Sequence, residues 1–182
     1  MSDLSAFDLS GRRIVVTGAG TGIGQGITLS LVRAGAEVVG VDLMAMDETS
    51  RMVADMGGKF SAHSANLGDR ETVTSLIDTL TGSYGALDGV CNNAGIIRRE
   101  DSENLSEKDW DEVISINMTS VFMISQSFGR KLLTEGRKGK IVNTASLLSF
   151  QGGIRVASYT ASKHGVAGIT TILANEWAAK GI

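Results

Sequence analysis

The strongest constraint on the fold of this chain is an alternation: short runs rich in β-branched residues take turns with longer runs that have helical spacing. Strands are expected at "RIVVT" (13–17), "EVVGVD" (37–42), "KFSAHSA" (59–65), "LDGVCN" (87–92) and "KIVNTA" (140–145). Helices are expected at 23–34, 46–56, 69–81, 106–134 and 157–180. Strands separated by amphipathic helices argue for βαβ units, because parallel neighbours need a crossover that returns the chain to the same end of the sheet. The first, second and fifth runs are apolar on both faces, as strands covered by helices on each side are. The expected fold class is α/β, a doubly wound parallel sheet in three layers, α/β/α.

No repeat, low-complexity segment or Pro/Ser-rich linker divides the sequence, so residues 1–182 are expected to form one domain. The last helical run ends in "EWAAKGI", where Gly181 reads as a helix-ending glycine and Ile182 as the start of another strand. A crossover helix leads back into a neighbouring strand, so the sheet is expected to lack its C-terminal strands and the domain to be incomplete at that end. Twenty-three glycines stand against no proline, where about 5% proline is usual, which is odd for a whole domain.

The formal charge of −3 arises from 17 basic and 20 acidic residues scattered along the chain, so no basic field invites nucleic acid or an anionic membrane surface. The N-terminal "MSDLSAFDLSGRR" has no signal-like apolar stretch, and a cytoplasmic protein is expected. Cys91 is the only cysteine, and only His63 and His164 accompany it, so neither a disulfide framework nor a metal site is expected.

"RIVVTGAGTGIGQG" joins the first strand to the first helix through Gly18, Gly20, Gly22 and Gly24. Glycines there permit a tight turn, let backbone amides approach a pyrophosphate and allow the helix to pack near the strand. Flavin, nicotinamide and methyl-donor proteins all use such a turn, and a purely structural turn remains an alternative. No Lys-Ser or Lys-Thr follows, which excludes a P-loop. Asp42, 20 residues beyond Gly22, can bond a ribose 2′-hydroxyl and would repel a 2′-phosphate; residues 18–26 carry no Arg or Lys to meet one. Both features favour NAD over NADP, against the alternative that Asp42 merely caps the strand end.

"SYTASKHGVAG" (158–168) sets Tyr159 and Lys163 four apart on one helix face among small residues, and these are expected to let cofactor and substrate come close. With "TGAGTGIG" (17–24), "NNAG" (92–95), Asn117, and Ser146 placed 13 residues before Tyr159, the chain resembles the short-chain dehydrogenase/reductase family over essentially its whole length. That resemblance implies a catalytic set of Asn117, Ser146, Tyr159 and Lys163. Tyr159 would exchange a proton with the substrate, Lys163 would favour the phenolate of a group whose free pKa is about 10, Ser146 would polarise the reacting oxygen, and Asn117 would support a water in a proton relay. It implies cofactor binding by Gly18, Thr21, Gly22, Ile23, Gly24, Asp42, Asn66, Leu67, Asn93, Ala94, Gly95, Tyr159 and Lys163, and a homo-oligomer, a tetramer. Asn66-Leu67 stands where many members carry Asp-Leu, so the adenine contact would pass through an uncharged amide oxygen.

Within that family, "AGIIRREDSENLSEKDWDEV" and "SLLSFQGGIRVASYTASK" resemble enzymes acting on 2-dehydro-3-deoxy-D-gluconate or 2-deoxy-D-gluconate in the breakdown of pectin-derived uronates. A sugar-acid substrate would then be held by Ser146, Gln151, Arg155 and Tyr159. Arg155 is the only cation between Ser146 and Tyr159, and a guanidinium suits bidentate carboxylate binding. Arg98 and Arg99, which follow "NNAG", could serve the same end or the subunit surface. Another polyol or 3-oxoacyl substrate, or a non-catalytic NAD-binding fragment, are the alternatives.

Overall fold

The computed structural model describes residues 5–182. Its five strands, β1 (Arg13–Thr17), β2 (Glu37–Asp42), β3 (Lys59–Ser64), β4 (Gly89–Asn92) and β5 (Lys140–Asn143), form one parallel sheet in the order β3-β2-β1-β4-β5. Around it lie α1 (Gly22–Arg33), α2 (Asp47–Asp55), α3 (Arg70–Tyr84), α4 (Glu107–Ile114), α5 (Ser120–Glu135) and α6 (Ala157–Trp177).

Period-two alternation along the central strands splits the core between the two faces. Val15, Val39 and Val41 point to one side, where Leu76, Ile77 and Leu80 of α3 and Ile124, Phe128 and Leu132 of α5 cover them. Ile14, Val16 and Val38 point to the other, beneath Leu29 and Val32 of α1 and Val53 of α2. Each such fully buried side chain contributes about 1.5–3 kcal/mol of transfer free energy, and this two-sided burial fixes the three layers.

The sheet corrects one strand reading. β5 alternates exposed and half-buried positions, with Val142 56% exposed, whereas β4, with all four residues buried, is the strand closed on both faces. β4 lies between β1 and β5, while β5 has a single neighbour among the described strands, so strand order rather than hydrophobicity sets burial.

The run expected as one helix over 106–134 is three pieces. A π-helical turn, Ser115–Thr119, separates α4 from α5. The α3 start is capped by Asp69, whose carboxylate accepts from the Glu71 and Thr72 amides and the Thr72 hydroxyl. These bonds to the ionised form hold its carboxyl below the usual range. Helix α6 packs along α4, the π turn and α5 through its own and its neighbours' glycines. A Cβ at Gly165 would collide with Met118, and one at Gly129 would collide with the Trp177 ring. Gly165 thus serves helix packing. Gly181 has φ +89 and ends the final turn in the left-handed conformation, as expected.

Candidate active site

The order β3-β2-β1-β4-β5 reverses direction at β1, and the crevice at the C-terminal ends of β1 and β4 is where an open α/β sheet binds its ligand. A cleft of 490 Å³ opens there. Its wall contains all thirteen expected cofactor residues: Gly18, Thr21, Gly22, Ile23 and Gly24 from the turn after β1, Asp42 after β2, Asn66 and Leu67 after β3, Asn93, Ala94 and Gly95 after β4, and Tyr159 and Lys163 of α6.

The glycine turn is shaped for an anion. Gly18 (φ +67) and Gly22 (φ +57) occupy the left-handed region, and a Cβ on Gly22 would meet nothing within 4 Å, so the turn leaves open space toward the cleft at the start of α1. A Cβ on Gly24 would strike the Gly18 carbonyl, so glycine is also what lets α1 sit close to β1. These residues fit a dinucleotide pyrophosphate.

Asp42 caps the strand end and also lines the cleft. Its two oxygens accept from Gly20 N at 2.9 Å and Met44 N at 3.0 Å, capping the strand end, and its carboxylate remains in the cleft wall. Asn66 spends one amide-oxygen lone pair on Gly68 N at 2.9 Å, leaving one for a ligand.

Thr17, which sequence reasoning missed, sets the loop after β4. Its hydroxyl accepts from Asn93 N at 2.9 Å and Ala94 N at 3.0 Å. The Asn93 amide in turn donates to Thr17 O at 3.1 Å, and its oxygen accepts from the Thr144 hydroxyl at 3.3 Å. The signal was a hydroxyl at the last position of β1. Thr144, Ile96, Ile116, Val41, Leu43 and Ala65 also line the cleft without having been singled out, because strand order decides which apolar strand ends face it.

Tyr159 and Lys163 share one face of α6, with the Lys163 Nζ 5.7 Å from the Tyr159 ring centroid. Lys163 is only 5% exposed, and its ammonium donates to Thr144 O at 2.5 Å. Burial holds its pKa below the ordinary lysine value. A lysine with a lowered folded pKa carries a stability cost that is fully present below that pKa and is relieved as pH rises toward the unfolded value. Lys163→Met, which removes the buried charge, is therefore expected to raise Tm at pH 7. The gain should shrink toward pH 10.5, and thermal melts across that range check it.

Ser146 lies two residues beyond Thr144. Its hydroxyl accepts from Leu148 N at 3.1 Å and its amide donates to Ser149 Oγ at 3.2 Å, a reciprocal cap on the turn Leu147–Ser149. Ser149 Oγ donates to the Lys163 carbonyl at 2.7 Å, which ties this turn to α6. Ser146 keeps a hydroxyl proton to donate.

Asn117 is fully buried within the π turn, outside the cleft wall. Its Oδ1 accepts from Ile96 N and its Nδ2 donates to Ile96 O, both at 2.8 Å, with a second donation to Ser162 Oγ at 3.3 Å. Ser162 Oγ donates to the Tyr159 carbonyl at 2.7 Å. The side chain thus joins the loop after β4 to the first turns of α6.

Ser146, Gln151 and Arg155, expected to hold substrate, are not part of the cleft wall, nor are Arg98 and Arg99, and the arginines are already paired or exposed. Arg98 reaches Glu112 at 2.9 Å and Asp109 at 3.4 Å, and Arg155 reaches Asp101 at 3.3 Å and Glu100 at 3.7 Å. Arg99 and Gln151 are exposed. Cys91 is buried and its thiol is pushed up to about 11, so it stays protonated at neutral pH. No described helix is long and apolar enough to cross a membrane.

The family model for short chain dehydrogenase matches residues 12–182. The chain is 49% identical over 175 residues to the 2-dehydro-3-deoxy-D-gluconate 5-dehydrogenase of Escherichia coli K12, covering 96% of this chain and 69% of that one. A crystal structure from Agrobacterium tumefaciens, assigned as a 2-deoxy-D-gluconate 3-dehydrogenase and holding NADP, superposes with a TM-score of 0.91 at 55% identity over 97% of this chain and 70% of its own. A gluconate 5-dehydrogenase from Burkholderia cenocepacia, in complex with NADP and tartrate, superposes with a TM-score of 0.87 at 32% identity over 97% and 69%. With its glycine turn, its Tyr159–Lys163 pair and its reversed strand order in one cleft, the chain belongs to the short-chain dehydrogenases, oxidoreductases that act on CH–OH groups.

Proposed function

We propose that this chain is an NAD-linked dehydrogenase of a sugar acid, 2-dehydro-3-deoxy-D-gluconate or 2-deoxy-D-gluconate. The observation that carries this reading is the position of Tyr159 and Lys163 in one wall of the cleft that begins at the glycine turn. A nicotinamide bound there supplies the hydride donor or acceptor. Tyr159 moves the proton at the substrate oxygen, and the buried Lys163 ammonium stabilises its phenolate while held in place by the Thr144 carbonyl. Ser146 donates its hydroxyl proton to the same substrate oxygen, and Asn117 holds the loop after β4 against α6.

Asp42 supports NAD. Among the described residues it is the only carboxylate in the cleft wall, and the only cation there, Lys163, lies across the sheet beyond β4. A 2′-phosphate would therefore meet negative charge without a compensating Arg or Lys. This departs from the Agrobacterium and Burkholderia relatives, whose structures hold NADP. Asp42→Ala is expected to raise the ratio of kcat/KM for NADP over NAD by about tenfold, since one charge contact near the surface is worth roughly 1–2 kcal/mol. An unchanged ratio would remove Asp42 as the selector.

The acid substrate is supported by the names of the relatives and by the tartrate, a hydroxy acid, in the Burkholderia complex. Initial rates of NADH formation across a panel of sugar acids and a panel of neutral polyols test the reading. A kcat/KM at least about tenfold higher for a sugar acid is expected. Equal or higher rates with neutral polyols would overturn it.

A further inference from the structure

Arg155 is held in an unusual way. It is the one non-glycine residue with a positive φ among the described residues, at +62, a backbone region that L side chains rarely adopt. Its carbonyl accepts from Glu100 N at 3.1 Å, its Nε lies 3.3 Å from Asp101 Oδ1 and its Nη2 lies 3.7 Å from Glu100 Oε1. The Asp101 amide donates to Glu100 Oε1 at 2.9 Å, which keeps the two carboxylates together. The segment after β4 is thereby clasped to the segment that leads into Tyr159.

The clasp is poorly matched to a guanidinium. Two separate carboxylates each approach one nitrogen, neither is bidentate, and the three side chains are 43–54% exposed. Exposed pairs of this kind contribute little, whereas a single carboxylate can engage both arms of the fork at shorter distance. Arg98 differs, because its 2.9 Å contact with Glu112 fastens it to α4.

We propose that Glu100 and Asp101 are intramolecular competitors for the Arg155 guanidinium, so that they set the affinity of the site for carboxylate-bearing substrates. The proposal rests on the sugar-acid reading above and deepens it. An acid substrate binds by displacing them, and a neutral polyol leaves the clasp closed. Glu100 and Asp101 then act through Arg155 as specificity-determining positioning residues, and the strained backbone at Arg155 holds it against them four residues before Tyr159.

Calorimetric titration of the full chain with gluconate and, separately, sorbitol, with and without NADH, tests this. Glu100→Gln with Asp101→Asn is expected to tighten gluconate binding about 3- to 10-fold and to leave sorbitol unchanged. The charge-keeping exchange Glu100→Asp with Asp101→Glu should stay near the parent value, and adding Arg155→Ala to the neutralised pair should abolish the gain. A gain that survives Arg155→Ala would overturn the proposal and assign the effect to another cation such as Arg99. If Arg155→Ala alone weakens gluconate but neutralising the pair brings no gain, the competition is refuted and the anchor stands. Failure of the parent and every variant to bind gluconate would refute both the competition and the sugar-acid reading.

Discussion

Tyr159→Phe is expected to lower kcat by roughly 10²–10⁴-fold while leaving the fold intact, the range typical for removing a positioned acid or base. The ring survives the change, and so does its place on α6 with Lys163 Nζ 5.7 Å from the centroid. The Ser162 hydroxyl bonds the backbone carbonyl at 159 rather than the side chain, so the link through Ser162 to Asn117 persists. Only the proton at the reacting oxygen is lost. Cofactor affinity and Tm should therefore change little while turnover collapses, and steady-state kinetics beside a thermal melt separate the two. A rate within tenfold of the parent would mean that another group moves the proton.

Gly24→Ala is the change with the largest expected effect on the fold. An added Cβ collides with the Gly18 carbonyl and comes within 2.7 Å of the Asn93 side-chain amide. The first neighbour is backbone in a turn with φ +67, and the second holds the loop after β4 through Thr17, so neither yields cheaply. Overpacking at such a point costs about 1–3 kcal/mol, which in a domain of this size lowers Tm by roughly 3–10 °C. Because α1 must also move away from β1, NAD affinity should fall by at least about tenfold. Gly26→Ala, where a Cβ meets nothing within 4 Å, is the control and should be near neutral. Equal melts for the two variants would show that α1 can shift freely.

Local chemistry was legible along the chain. β1 and β2 fall where their β-branched runs lie, Arg13–Thr17 and Glu37–Asp42, because a short apolar run flanked by turn residues has little choice of boundary. The π turn was not legible: nothing in "SINMT" breaks helical spacing, and the extra residue is accommodated where Asn117 turns inward to bond both backbone groups of Ile96. Asp42 can be either a cap or a site residue on its sequence position alone, and Ser146 is expected there as a site residue. In the structure each caps the local backbone while keeping hydrogen-bonding capacity for a ligand, since a hydroxyl or carboxylate has more than one bonding direction.

By itself, the sequence determined the layer architecture, the turn at 18–24 that can approach an anion, and the spacing that puts Tyr159 and Lys163 on one helix face, because these follow from periodicities of two and 3.6 and from glycine's missing Cβ. Only the tertiary structure decided the order β3-β2-β1-β4-β5, and with it the crevice between the ends of β1 and β4, the exposed character of β5 and the burial of Lys163 against the Thr144 carbonyl. It also decided that Arg155 meets Glu100 and Asp101 before any ligand. Those outcomes depend on which distant segments become neighbours, a long-range pairing problem that no local spacing encodes.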